Sequence, residues 1–270
     1  MRSSRILAIS VVAITAALAA ATIGTGTPAE AASSVHYVAL GDSYSSGVGA
    51  GDTSGSCDQS PNAYPALWAA ANAPASFAFE ACSGATTADV ISSQLSALSS
   101  STTLVSVTIG GNDVGFSSIM ETCILESTSS CESAVAKAEE YASTTLPGNL
   151  DKLFADIKAD APNAHVVVLD YPVFYDLSAS ICIGLSTADH QALDAGINDL
   201  DGAVQTAAGN FGFRFADVRG QFSGHELCDG AGWLNSVDIF DIDSSYHPTA
   251  TGQADGFYPV FSAAAAAIGQ

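Results

Sequence analysis

From residue 35 onward, short apolar runs alternate with longer stretches of helical periodicity, and this alternation limits the fold more than any other feature. The runs span residues 35–40, 77–80, 104–109, 165–170 and 213–216. They are rich in Val, Ile and Phe and end in Gly, Asp or Pro, which reads as strand followed by turn. Helical patterns fill 61–72, 87–98, 113–125, 132–142, 148–160, 187–208 and 249–268. Strands separated by helices cannot pair as hairpins, so they imply a parallel sheet with helices on both faces. The expected fold is α/β, a three-layer α/β/α flavodoxin-like sheet of about five strands. Ligands in such sheets sit beyond the carboxyl ends of the strands, where strand order reverses.

Residues 1–31 read as an export signal. Arg2 and Arg5 form a positive head, an apolar run follows from Ile6 to Ile23, and Ala29-Glu30-Ala31 supplies an A-x-A cleavage pattern before Ala32. Residues 32–270 then form a single domain, with no linker and no internal repeat. The alternative for the apolar run is an uncleaved membrane anchor. Six cysteines, an even number, fit an exported chain with three disulfides. Sequential pairing, Cys57–Cys82, Cys123–Cys131 and Cys182–Cys228, staples each loop region without crossing another. The competing use, a metal site, has no C-x-x-C to build on, and His225 with Cys228 has no second half. No metal is expected.

Charge excludes some partners. Seven Lys and Arg stand against 28 Asp and Glu, a net charge of −21. Nucleic-acid binding needs the cations that this chain lacks, and so does an electrostatic grip on anionic lipid.

Three small polar loops follow the first three strands: Gly41-Asp42-Ser43-Tyr44-Ser45, Cys82-Ser83-Gly84-Ala85-Thr86 and Gly110-Gly111-Asn112-Asp113. A strand order of 2-1-3 makes them neighbours. Singly, each has a bland reading: a helix N-cap, a turn glycine, an Asx-turn. Their coincidence at consecutive strand ends points instead to chemistry. A serine nucleophile needs a base, and histidine is the usual one. His247, in Ser244-Ser245-Tyr246-His247-Pro248 just before the last helix, is the candidate. His36 and His165 belong to strands and His190 to a helix, while His225, in a Gly-flanked loop, is the fallback.

These blocks resemble the SGNH hydrolases, also called GDSL esterases and lipases. Gly-Asp-Ser-Tyr at 41–44, Gly84, Gly111-Asn112-Asp113 and His247-Pro248 match in order across the mature chain. The cysteines and export signal resemble the secreted actinobacterial branch of that family. The resemblance implies a Ser43 nucleophile and a His247 base. It also implies an oxyanion hole from the N–H of Ser43, the N–H of Gly84 and the amide of Asn112. The family usually has Asp three residues before its histidine, and here that residue is Ser244. Two expectations follow. Either the Ser245 backbone carbonyl orients His247, or Asp243 or Asp241 takes the acidic role; the displaced position of Asp243 favours the carbonyl.

The expected function is a secreted lipase or esterase working through an acyl-enzyme. Phospholipase A-type and carbohydrate acetylesterase activities are the alternatives, and a non-catalytic lipid- or glycan-binding module is the reading from another class. The expected partner is a lipid or small-molecule ester, with no nucleic acid, no stable protein partner and a monomeric state. No cofactor is expected. Asn198-Asp199-Leu200-Asp201-Gly202 fails as a calcium loop because Ala208 stands at the terminal Glu position. Gly47-Val48-Gly49-Ala50-Gly51 has the wrong spacing for a phosphate loop. Among the apolar residues after the Asn block (Phe116, Ile119, Met120, Ile124, Leu125) and after strand four (Val173, Phe174, Leu177, Ile181, Ile183, Leu185), some are candidates to line an acyl groove, the alternative being core packing and loop anchoring around disulfides.

Overall fold

A computed structural model of the chain describes residues 33–179, 181–238 and 242–269. The export signal expected at 1–31, and Asp241, lie outside the described residues.

Five parallel strands form one sheet: β1 (His36–Gly41), β2 (Ser76–Phe79), β3 (Leu104–Thr108), β4 (His165–Leu169) and β5 (Arg214–Ala216), in the order 2-1-3-4-5. Every pair is parallel, with Gly41 opposite Thr108 and Thr108 opposite Leu169. The central strands are buried along almost their whole length, which is why they read as continuous apolar runs rather than as alternation.

Right-handed crossovers place the helices. The chain steps from β1 outward to β2, so α2 (Tyr64–Asn72) lies on one face. From β2 it runs back through β3 to β5, which puts α6 (Leu146–Asp160) and α7 (Thr187–Phe211) on the other. The last helix, α9 (Tyr258–Ala267), returns to the first face. There Tyr37 of β1 packs between Trp68 and Phe261, with ring centroids 5.2 and 5.5 Å away. In α6, Leu146, Leu150, Leu153, Phe154 and Ile157 make one buried stripe at helical spacing. A capping box of Ser186 and Asp189 starts α7, and Gly212 in left-handed conformation ends it.

Two expected helices differ in kind. The segment 87–98 is a composite: α3 (Thr87–Asp89), a π turn over Val90–Gln94 and a 3-10 turn over Leu95–Ala97. The C-terminal segment likewise opens with a π turn, Gly252–Phe257, before α9. Between α2 and β5 the chain also forms α4 (Phe116–Leu125) and α5 (Thr128–Thr144). The disulfides pair sequentially, Cys57–Cys82, Cys123–Cys131 and Cys182–Cys228. The first joins the loops after β1 and β2, and the second joins α4 to α5. The third joins the loop after β4 to the segment following the short helix α8 (Arg219–Phe222). Among the described residues no helix is long and apolar enough to cross a membrane.

Candidate active site

The order 2-1-3 brings the carboxyl ends of β2, β1 and β3 side by side, and the three polar loops meet there. At the end of β1, Gly41 turns the chain out of the sheet with φ +127°. A Cβ at Gly41 would run into the Thr108 carbonyl and the Ser45 hydroxyl, so only glycine fits. Asp42 caps the four-residue helix α1 (Ser43–Ser46), accepting the Tyr44 N–H at 3.0 Å. Ser43 is therefore the first residue of a helix. Its N–H has no intrahelical acceptor.

His247 comes from the opposite end of the sequence. Its Nε2 lies 2.7 Å from Ser43 Oγ, and its Nδ1 lies 3.1 Å from the Ser245 carbonyl oxygen. A carbonyl only accepts, so Nδ1 carries the proton and Nε2 presents its lone pair to the serine hydroxyl. Both residues are nearly buried, Ser43 8% and His247 7% exposed. Several contacts fix the histidine loop. Asn235 donates its amide to the carbonyls of Gly49 and His247, both at 3.0 Å, and its N–H to the His247 carbonyl at 2.9 Å. Tyr246 holds a left-handed backbone, φ +66°, and its carbonyl accepts the Tyr44 hydroxyl at 2.8 Å. The Tyr44 ring lies tilted against the imidazole at 5.0 Å.

The other two loops supply donors. Asn112 gives one amide N–H to the Ala85 carbonyl at 3.0 Å, which orients the side chain and leaves its second N–H. Asp113 accepts the Thr87 N–H at 3.0 Å and the Thr87 hydroxyl at 2.6 Å, tying the third loop to the second. Gly84, at φ +77°, stands exposed with open space where a Cβ would be. Ser43, Gly84, Asn112 and His247 together line one groove of about 630 Å³, walled by Met120 and Ile124. A narrow apolar slot of about 50 Å³ continues beneath Ser43 and Asn112, between Ile119, Phe174 and Leu193.

Of the remaining expected residues, Asp243 sits exposed in a 3-10 turn, Ile242–Ser244. His190 stacks on Tyr175 at 3.8 Å, and His225 on Trp233 at 3.7 Å. His36 and His165 lie in β1 and β4. Leu177, Ile181 and Ile183 do not wall the groove: they project into solvent, Ile181 and Ile183 on either side of the disulfide-bonded Cys182. Sequence reasoning missed Tyr171. Its hydroxyl accepts the Gly111 N–H at 3.0 Å and donates to the Asp42 carboxylate, so one atom joins the first loop to the third. Burial pushes Asp42 up to about 7, with the Tyr171 and Tyr44 donors pulling the other way. Behind it, Asp201 accepts the Tyr171 N–H at 3.1 Å and Asp170 the Val218 N–H at 2.7 Å. Both carboxylates are raised, by burial first, with Arg219, 3.4 Å from Asp170 and 3.7 Å from Asp201, opposing the rise. Among the described residues no group of three or more His, Cys, Asp or Glu could hold a metal ion.

Residues 39–254 match the GDSL-like lipase/acylhydrolase family. Lipase 1 of Streptomyces coelicolor is 53% identical over 244 residues, 89% of this chain and 91% of that protein. The crystal structure of the extracellular lipase of Streptomyces rimosus superposes with a TM-score of 0.83 at 50% identity, covering 85% of this chain and 99% of that one. Phospholipase A1 of Streptomyces albidoflavus gives 0.82 at 49% identity, over 84% and 98%. The chain belongs to the GDSL-like lipase/acylhydrolase family, and it is a carboxylic ester hydrolase of the lipase and esterase kind.

Proposed function

We propose that the chain is an exported lipase in which Ser43 is the nucleophile and His247 its base. Ser43 Oγ attacks the ester carbonyl while His247 Nε2 takes the hydroxyl proton. The tetrahedral oxyanion is held by the N–H groups of Ser43 and Gly84 and by the Asn112 amide. The imidazolium then protonates the leaving alkoxide, which departs as alcohol and leaves Ser43 acylated. Water, activated by the same imidazole, attacks the acyl-enzyme and releases the carboxylic acid. The Ser245 carbonyl keeps the imidazole in the reactive tautomer. The observation that carries this reading is the 2.7 Å approach of His247 Nε2 to Ser43 Oγ, across 204 residues of sequence.

The groove supports a lipid acyl chain. Beside the serine its walls are Phe116, Met120, Ile124 and Val237, and apolar walls pair with hydrocarbon. Export is supported by the positive head and apolar run of residues 1–31, by three disulfides, and by the extracellular S. rimosus relative.

A chain-length series of p-nitrophenyl esters, with triglyceride and phosphatidylcholine, tests the reading. Hydrolysis extending to acyl chains beyond butyrate is expected, and Ser43→Ala should lower it about a thousandfold or more. Activity confined to acetate removes the lipase assignment, and full activity in Ser43→Ala removes the mechanism. Asp243→Asn and Asp241→Asn should each cost less than about tenfold; a loss near 10³-fold in either one would give that acid the orienting role.

A further inference from the structure

Residues Ser244 to His247 close a tight turn. The His247 N–H donates to the Ser244 carbonyl at 3.1 Å. Tyr246, the third residue of the turn, has φ +66°, whereas Ser245, the second, is not among the residues with positive φ. That combination is a type II turn. Types I and II differ by a flip of the central peptide, and here the central peptide carries the Ser245 carbonyl. The sign of φ at Tyr246 therefore decides whether that carbonyl faces His247 Nδ1, 3.1 Å away, or turns from it. In a Ser–His–Asp triad a carboxylate side chain orients the imidazole. A main-chain carbonyl has no side-chain torsion of its own, so the backbone alone aims it.

The third position of a type II turn ordinarily holds Gly or Asn. A tyrosine there is strained, because its Cβ crowds the backbone in the left-handed region. Among the described residues, the non-glycine positions with positive φ are Asp52, Asp58, Ala73, Cys228 and Tyr246, and Tyr246 is the aromatic one. Four contacts hold it there. Its N–H donates to the Asn235 carbonyl at 2.8 Å. Its carbonyl accepts the Tyr44 hydroxyl at 2.8 Å. Its ring lies tilted against Phe174 at 5.2 Å, and its hydroxyl shares a hydrogen bond with the Tyr175 hydroxyl at 2.7 Å. Tyr175 is anchored in turn: its N–H donates to the Asp194 carboxylate at 3.2 Å, and its ring stacks on His190 at 3.8 Å. Strain of this kind persists only where the surroundings over-determine it, and it gathers at functional sites.

We propose that Tyr246 is a positioning residue: its left-handed backbone, clamped by the Tyr175 hydroxyl, aims the Ser245 carbonyl at His247 and does the work of the missing orienting acid. The proposal rests on the Ser43–His247 reading and extends it to the element that gives the pair its direction. If the turn relaxes to type I, Nδ1 loses its acceptor. The imidazole can then rotate, or take the tautomer in which Nε2 carries the proton and cannot accept that of Ser43.

The test measures kcat and KM of the full chain on p-nitrophenyl butyrate, per folded molecule, with the folded fraction read by near-UV circular dichroism. Tyr246→Gly and Tyr246→Ala both lose the clamp, but glycine adopts positive φ freely and alanine does not. The Gly variant should therefore turn over about five- to thirtyfold faster than the Ala variant, with KM within twofold. A packing role would change stability and leave the two kcat values alike, so a ratio below threefold overturns the proposal. Tyr175→Phe keeps the ring and its stacking on His190, and covers the case in which the Tyr246 variants fail to fold. It should lower kcat about three- to tenfold with KM unchanged. A kcat within twofold of the parent overturns the clamp. The double variant Tyr175→Phe with Tyr246→Phe should be no slower than the slower single variant, because one bond is lost in all three and the double leaves no hydroxyl stranded. Losses that multiply overturn the clamp as well. Absence of ester hydrolysis in the parent, or full activity in Ser43→Ala, would instead remove the underlying reading, and both are measured before any turn variant is made.

Discussion

Tyr171→Phe removes one oxygen atom and tests how the site is held. The ring stays, so packing against Tyr44, 4.9 Å away and edge-on, is retained. Two hydrogen bonds go. The buried Gly111 N–H loses its acceptor at 3.0 Å, which costs about 1–3 kcal/mol. The buried Asp42 carboxylate loses the Tyr171 donor, worth about 1.5–3 kcal/mol for a charged acceptor. Together the variant should lose about 3–5 kcal/mol at pH 8, a large fraction of the stability of a domain. The loss depends on pH. Asp42 sits at about 7 in the fold against an ordinary value of 3.8, so between those values the native state holds a proton that the unfolded chain has released. Stability therefore falls as pH rises through that window. Without the Tyr171 donor the carboxyl moves higher still, and the fall continues further. At pH 5 Asp42 is protonated in both proteins, and the gap should shrink toward the Gly111 contribution alone. Urea unfolding of both proteins at pH 5 and pH 8 measures this directly. A difference under about 1 kcal/mol at pH 8, or a larger one at pH 5, would refute the linkage of the two loops through Tyr171.

Asn112→Ala should lower kcat a hundredfold or more, since one oxyanion donor is worth about 3–4 kcal/mol of barrier; a change under threefold in folded protein would remove Asn112 from the hole. Its bond to the Ala85 carbonyl also predicts that Asn112→Asp, which cannot donate when ionised, behaves like the Ala variant rather than the parent in the same kinetic assay. Replacing each cystine by two serines should follow loop length: separations of 46, 25 and 8 residues correspond to about 4, 3.5 and 2.5 kcal/mol. Urea midpoints in the reverse order would place the stabilisation in the native state instead of the unfolded chain.

The strands were legible because both faces of a central parallel strand are buried, so composition alone marks them. Residues 104–109 and 165–170 were expected as strands, and Leu104–Thr108 and His165–Leu169 form them. Ser43, Gly84 and Asn112 were legible because loops at neighbouring strand ends must converge once the order is 2-1-3. What was hidden is whatever depends on a partner distant in sequence. Tyr171 looks like one more aromatic after an apolar run, and Asn235 like a loop asparagine. Each acts through a contact fixed only when the sheet closes. The π turns were hidden for another reason. One inserted residue barely disturbs a period of 3.6 over so short a stretch, so 87–98 reads as a plain helix.

The two π turns share a use that explains their place in the fold. Gly41 leaves the sheet at φ +127°, so its backbone groups need partners beyond the strand ladder. Gln94, closing the π turn Val90–Gln94, supplies both: its oxygen accepts the Gly41 N–H and its amide donates to the Gly41 carbonyl, each at 2.9 Å. Gln253, in the π turn Gly252–Phe257, does the same one step further along, accepting the Tyr64 N–H and donating to the Tyr44 carbonyl at 2.9 Å. A primary amide carries a donor and an acceptor side by side, which is the complement of a bare stretch of backbone. In each π turn a buried glutamine is aimed at the chain on one side of Ser43, Gln94 at Gly41 and Gln253 at Tyr44. The turn that carries Ser43 is thus clamped from both faces of the sheet by neutral groups. Charged clamps would have added to the acidic burden that Asp42, Asp170 and Asp201 already impose on this interior.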